Sequence, residues 1–260
     1  MAYRNLEIAD RGAVRTITVN RPDKLNALNR DTLEELTLAF AQAAQDNAVR
    51  AVVLAGAGEK AFVAGADIAE MNGYTPVQAQ AFSRTGQRLM TSIERLGKPV
   101  LARIQGFALG GGMELAMACH LRVASEKAKF GQPEINLGLI PGFGGTQRLL
   151  RLAGRSAALE LCLTGATINA QRAYELGVVN RVVAPEALDE TVNALADQLA
   201  AAAPLAAGGI LDAVLQGGEA SLDQGLEFET QGFALMFSTE DMREGTGAFL
   251  AKRKPQFKGN

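Results

Sequence analysis

Glu114 ends a glycine-rich run, Gly106-Phe107-Ala108-Leu109-Gly110-Gly111-Gly112-Met113-Glu114, and Glu134 follows a proline in Phe130-Gly131-Gln132-Pro133-Glu134-Ile135. Carboxylates among apolar neighbours need a partner or a task. Singly, each glutamate fits the acidic residue that favours the first turn of a helix. As a pair they fit general acid–base chemistry at carbon beside a carbonyl, which needs a proton carrier and something to hold enolate charge. Glycines ahead of a helix offer unpaired N–H groups and the positive end of the helix dipole, suited to an oxyanion. The same glycines serve equally for a close approach of strand to helix. A second glycine turn, Ala64-Gly65-Ala66-Asp67-Ile68, follows a strand-like run and offers a partner amide.

Other chemistries are poorly supplied. His120 is the single histidine in 260 residues, so triads and zinc cages built on imidazole are excluded, and an adjacent Cys119 cannot converge with it on a metal. We read His120 as structural and expect no metal. Cys119 and Cys162 sit in apolar stretches, which predicts packing roles and a reducing compartment. Gly56-Ala57-Gly58 and Gly142–Gly145 each lack part of a phosphate-loop or dinucleotide pattern.

Lys and Arg number 26 against 28 Asp and Glu, a formal charge of −2, without the basic excess that nucleic-acid binding uses. With 48% hydrophobic residues the chain is predicted to be globular. Met1–Asp10 has no apolar signal core, and Leu199–Leu215 is too short and too interrupted by Pro204, Gly208 and Gly209 to span a bilayer. The expectation is a cytoplasmic protein with no membrane and no nucleic-acid partner.

The elements that must position the glutamates alternate. Val14–Asn20 has the period-2 pattern of a half-buried strand. Asp31, with Glu34 three residues later, predicts the N-cap of a helix running to about Asp46. Buried strands follow at Ala51–Ala55 and Pro99–Ile104, with a helix at Pro76–Leu96 between them and an apolar helix, Leu115–Cys119, after the glycine run. Asn72–Pro76 reads as a connecting loop. From Ser156 onward helices dominate, at Ala157–Leu163, Ala170–Leu176, Glu186–Ala203, Ser221–Phe237 and Thr239–Leu250, around one strand at Val178–Val183. The pattern predicts an α/β core over residues 1–200 and a helical segment over 201–260.

Four ordered motifs, Ala64–Ile68, Ala108–Glu114, Gly131–Glu134 and Pro141–Leu149, closely resemble the crotonase (enoyl-CoA hydratase) family. The likeness runs from Asn20-Arg21-Pro22 and Leu25–Leu28 to Thr239–Asp241 and Lys252–Pro255, almost the whole chain. It implies a spiral of ββα units with C-terminal helices that mediate trimers, often paired into hexamers. It implies that the backbone amides of Ala66 and Gly111 hold the thioester oxygen of an acyl-CoA. It implies further that Glu114 activates the water that attacks C3 and Glu134 delivers the proton to C2 of a trans-2-enoyl-CoA. Ala64, Asp67, Ile68 and Lys252 are implied to meet CoA, and no metal or redox cofactor is implied. Ala69 stands where many relatives carry a lysine, and His120 where aspartate is frequent. Possession of both glutamates favours hydration over double-bond isomerisation, which would depend mainly on Glu134, and over a non-catalytic acyl-CoA- or RNA-binding role. Because two carboxylates sharing a dry site resist double ionisation, the pair is expected to carry one proton.

Overall fold

The computed structural model describes residues 3–260, so Met1 and Ala2 of the N-terminal stretch lie outside the described residues. The chain opens with the hairpin β1 (Leu6–Arg11) and β2 (Val14–Val19), then α1 (Arg30–Gln45), β3 (Ala51–Gly56), β4 (Ala61–Val63), the short α2 (Ile68–Met71) and α3 (Pro76–Glu94). Next come β5 (Val100–Ile104), β6 (Phe107–Leu109), α4 (Gly111–Ala118), β7 (Leu121–Ser125), β8 (Lys129–Gly131), a 3-10 turn at Pro133–Leu137 and α5 (Gly145–Thr164). The chain closes with β9 (Thr167–Asn169), α6 (Ala170–Glu175), β10 (Arg181–Val183), α7 (Leu188–Ala200), α8 (Pro204–Gly217), α9 (Leu222–Met236) and α10 (Glu240–Leu250).

Two sheets share these strands. One has the order β1-β2-β3-β5-β7-β10 and the other β4-β6-β8-β9. The pairs β3/β4, β5/β6 and β7/β8 each give one strand to each sheet before the chain enters its helices, so successive ββα units stack in parallel register. This is the spiral that the family resemblance implies. Every residue of β3 is buried, as a parallel strand covered on both faces requires. Val52 and Leu54 face the main core with Leu89, Ile93, Val100 and Met113. Val53 and Leu101 face the other way, onto Leu188, Val192 and Leu195 of α7.

Several boundaries differ from the sequence reading. The N-cap of α1 is Asn29, whose side chain accepts from Thr32 N at 3.0 Å, and Asp31 lies inside the first turn. The asparagine captures the free amides first because its backbone is already extended there (φ −95°, ψ 176°). The helix read at Ala157–Leu163 is the second half of α5, which starts at Gly145 and is interrupted by a non-helical Gly154. β6 lies inside the glycine-rich run, between Gly106 and Gly110, and with only three residues it is too short to show an alternating pattern. The interrupted apolar stretch contains α8: Pro204 occupies the helix start, where its missing N–H costs nothing, and Gly208 allows close approach to the Gly97 carbonyl. Among the described residues no single helix is long and apolar enough to cross a membrane, and α7 and α8 meet at a 103° bend.

Candidate active site

The glycine run does two things. Gly110, at φ 50°, turns the chain from β6 into α4, and its N–H donates to Gly131 O on β8 at 2.9 Å. Gly111 is then the first helical residue, whose N–H has no partner within the helix. All eight residues of α4 are buried, as befits a helix with little polarity on any side apart from Glu114.

Ala66 faces Gly111 across the gap between the two sheet-to-helix turns. A Cβ placed on Gly111 would lie 3.4 Å from Ala66 N and 3.3 Å from the Phe143 ring. The turn that carries Ala66 is sewn to the segment Leu25–Leu28: Ala64 N donates to Leu25 O, Leu28 N to Gly65 O, and Asp67 N to Leu28 O. Among the described residues those bonds leave the Ala66 and Gly111 N–H groups without a backbone acceptor. The two turns thus bring two unpaired amides close together, the kind of donor pair that can hold a developing oxyanion.

The Leu25–Leu28 segment is fixed in turn by Asn26, which is fully buried and left-handed (φ 60°). Its Oδ1 accepts from Arg21 N, and its Nδ2 donates to Ala57 O and Ala61 O, each at 2.9 Å. Arg21 reaches Asp67 Oδ2 at 3.0 Å and the Ala27 carbonyl. The roles of Arg21 and Asn26 escaped the sequence reading, although both lie in motifs that carried the resemblance. An asparagine followed at a distance by a glycine turn has no local signature of this work.

Glu114 is 1% exposed, and its Oε1 accepts from Phe143 N at 2.7 Å and Gly145 N at 2.6 Å. Burial pushes this carboxyl up to about 7, against the two amide bonds, and the neighbouring Glu134 adds to the rise. Glu134 sits in the 3-10 turn after β8, behind Pro133, which fixes the start of that turn. Its Oε1 lies 2.8 Å from where a Cβ on Gly110 would be, so the absence of a side chain at Gly110 makes room for it. Burial raises the Glu134 carboxyl as well. The fully buried Gln132, with its amide nitrogen toward Glu134, stands 3.1 and 3.2 Å from the two carboxylate oxygens. It was not singled out from the sequence. Phe143, Phe82 and Tyr74 wall the gap with edge-on contacts of 5.2 and 5.8 Å between centroids.

The remaining candidates are placed as follows. Asp67 spends its carboxylate on Arg21 and its N–H on Leu28 O. Ile68 is exposed at the start of α2, beside Ala69, and Ala64 is partly buried at the end of β4. Lys252 follows α10 at φ 53°, and among the described residues no hydrogen bond or ion pair joins its side chain to the elements that carry the glutamates. Its neighbour Arg253 is held by Glu244. His120 has its Nδ1 accepting from Val100 N at 2.9 Å and its Nε2 at 3.0 Å from Glu94 O, which fixes a neutral ring, and burial lowers its pKa. Cys119 is buried and its thiol pushed up to about 12 by that burial. The loop at Asn72–Pro76 is tied down by Tyr74, whose hydroxyl donates to Glu70 at 2.9 Å, and by the Thr75–Gln78 capping box.

A double-sheet spiral that closes on paired free amides, a buried carboxylate and a second, partly buried one defines an enzyme of the crotonase class. The profile of the enoyl-CoA hydratase/isomerase family matches residues 9–260. The short-chain-enoyl-CoA hydratase of Clostridium acetobutylicum is 44% identical over 254 residues, covering 98% of this chain and 97% of its own. The crotonyl-CoA hydratase of Syntrophomonas wolfei is 44% identical and covers 99% of both chains. The crystal structure of an enoyl-CoA hydratase from Bacillus anthracis superposes with a TM-score of 0.96 at 40% identity, covering 99% of this chain and 100% of that one. The chain belongs to the enoyl-CoA hydratase/isomerase family and is a hydro-lyase.

Proposed function

We propose that this enzyme adds water across the double bond of a trans-2-enoyl-CoA to give the 3-hydroxyacyl-CoA, and catalyses the reverse dehydration. The activity is that of an enoyl-CoA hydratase. The observation that carries the mechanism is the approach of Gly111 to Ala66 N, which sets two unpaired amides beside the buried Glu114 and the partly buried Glu134. The amides take the thioester oxygen, and charge that develops there as C3 is attacked is met by N–H dipoles already in place. Each such donor is typically worth about 2.7–4 kcal/mol in the transition state.

Glu114 takes a proton from the water as its oxygen bonds to C3, and Glu134 gives a proton to C2. The two carboxyls together start and finish with one proton, which the reaction moves from Glu134 to Glu114 and which must return to Glu134 before the next substrate is hydrated. Addition of water changes no oxidation state overall and needs no redox cofactor, and proton transfer is met by the two carboxyls without a metal. Ala64, Asp67, Ile68 and Lys252 are proposed to meet CoA. A short acyl chain is favoured by the names of the two 44%-identical relatives.

Residues 201–260 are proposed to serve assembly into a trimer or a dimer of trimers, and residues 1–200 acyl-CoA binding and catalysis. In support, α9 buries none of its residues in the single chain, and Leu222, Phe233, Leu235 and Phe249 are each more than 60% exposed. A cytoplasmic location is proposed with this metabolism of acyl-CoA thioesters.

The test is the loss of thioester ultraviolet absorbance when crotonyl-CoA meets the wild type, Glu114→Gln and Glu134→Gln proteins. Rapid loss that both substitutions cut by about 10²–10⁴-fold is expected for positioned proton transfer. No turnover of crotonyl-CoA or longer enoyl-CoAs would sink the reading. Loss of hydration with retained double-bond isomerisation in Glu114→Gln would replace it with the isomerase.

A further inference from the structure

Glu114 does not hold its own position: its Oε1 hangs on the amides of Phe143 and Gly145, which belong to the turn leading into α5. Ser83 and Gln87 of α3 hold the start of that turn through Gly142 O, at 2.6 and 3.1 Å, and the buried Phe143 ring packs on Phe82. The turn then passes through Gly144 at φ 107°, a left-handed conformation in which a Cβ would collide with the Arg148 guanidinium. Arg148 lies one helical turn further on. Its Nη1 donates to Phe143 O at 3.0 Å, and its Nε and Nη2 make a bidentate pair with the Glu94 carboxylate, both at 2.7 Å. Both side chains are largely buried, at 14% and 26% exposure, where such a fork holds geometry as well as charge.

Glu94 is anchored in its turn. It ends α3, and its backbone carbonyl stands 3.0 Å from His120 Nε2, while His120 Nδ1 accepts from Val100 N on β5. A continuous set of polar contacts thus runs from the central sheet through His120, Glu94 and Arg148 to the turn that grips Glu114.

We infer that Arg148, clamped by Glu94, is a positioning residue for Glu114, and that it acts by fixing the Phe143–Gly145 turn whose two amides hold the carboxylate. The inference rests on the reading of Glu114 as the group that activates water. The charged and titratable groups around Glu114 are Glu134 from the turn after β8, Arg148 and the half-buried Cys162 from α5, and Glu94 behind Arg148. Arg148 is the one cation among these four, and its charge draws the Glu114 carboxyl downward, against the burial that raises it. Loss of the guanidinium therefore removes both the geometry and the counter-charge. The acid limb of the pH profile then moves to higher pH.

The experiment measures kcat and KM for crotonyl-CoA over pH 5–10 in wild type, Arg148→Met, Arg148→Lys and Glu94→Gln, with thermal midpoints alongside. Arg148→Met is expected to lower kcat at pH 7 by up to about 10²-fold, the loss that misplacement of a reacting group brings. KM should hold within about twofold, and the acid limb should move upward. Arg148→Lys should restore the limb more than kcat, since it returns the charge and not the fork. Glu94→Gln should lower kcat with the limb nearly in place. If Arg148→Met does not fold, the Lys and Gln variants carry the same test. An unchanged limb and unchanged kcat per folded site in these variants would overturn the inference.

A cycle with Glu114→Gln separates the two levels. If Arg148 acts through Glu114, Arg148→Met costs little further in the Glu114→Gln background. A full additional loss there would overturn the inference while leaving Glu114 as base. An acid limb that persists in Glu114→Gln would instead remove the reading of Glu114 itself.

Discussion

Gly111 and Ala66 come from different ββα units, 45 residues apart in sequence, yet a methyl group on Gly111 would stand 3.4 Å from the Ala66 amide nitrogen. The two turns are held in that relation by separate anchors. Gly110 N is bonded to Gly131 O on β8, and the Ala66 turn is bonded to Leu25 and Leu28. The proposed oxyanion hole is thus a product of sheet stacking, with neither turn sufficient alone.

Gly111→Ala should separate function from stability. Alanine suits a helix better than glycine, and the backbone at Gly111 does not need a left-handed φ. The methyl group, however, enters the space between the two amides and presses on Phe143 at 3.3 Å. We expect a fall in kcat/KM of about 10²–10³-fold, the range for loss of one oxyanion donor. The thermal midpoint should shift little. A variant with nearly native kcat/KM would show that the acyl oxygen binds elsewhere.

The pH dependence of kcat/KM should reflect the shared proton. Glu114 must be ionised to accept a proton from water, so activity should rise with pH as its carboxyl, held near 7, deprotonates. At higher pH the proton that Glu134 must deliver is lost, and activity should fall. The two limbs belong to the pair and not to either residue. Hydration of crotonyl-CoA measured from pH 5 to 10 checks this, and a flat profile contradicts it.

The same carboxyl sets a sign for stability. Its folded pKa, about 7, lies above the ordinary glutamate value of about 4.3, so protonation favours the folded state. That contribution is complete below the unfolded value and is lost as pH rises through about 7. Glu114→Gln keeps an oxygen to accept from Phe143 N and Gly145 N and cannot ionise. Its gain over wild type in urea unfolding should be near zero at pH 4 and reach about 1–3 kcal/mol at pH 8. An equal difference at both pH values would argue that Glu114 carries no charge penalty.

Lys252→Ala tests the proposed CoA contact. An exposed cation on a flexible stem contributes about 0.2–1 kcal/mol to an ion pair. KM for crotonyl-CoA should rise about two- to fivefold at low salt with kcat unchanged, and the effect should fade as salt screens the phosphates. Unchanged KM at low salt would take Lys252 out of the CoA site.

What the sequence settled by itself was the part written in short-range chemistry. Glu114 stands inside a glycine-opened helix, Glu134 stands behind a proline, and the motifs around them suffice for the crotonase family. Helices with strong caps, such as those beginning after Ser221 and Thr239, were legible because a hydroxyl and a following amide sit within one turn. The three-residue strands β6, β8 and β9 were not, since their pairing depends on partners far along the chain. Nor could α8 be read through Gly208 and Gly209, because the close packing on Gly97 that uses Gly208 is a tertiary contact. Above all, the sequence names Ala66, Gly111, Glu114 and Glu134 but does not bring them together. That needed two sheets stacked in register, with Asn26 and Arg21 bracing the Ala66 turn, Gly110 N bonded to Gly131 O beside Gly111, and Arg148, paired with Glu94, bonded to the Phe143 carbonyl of the turn that meets Glu114. Side chains that work at a distance from their own segment leave no periodic trace, so their roles exist only once the fold has formed.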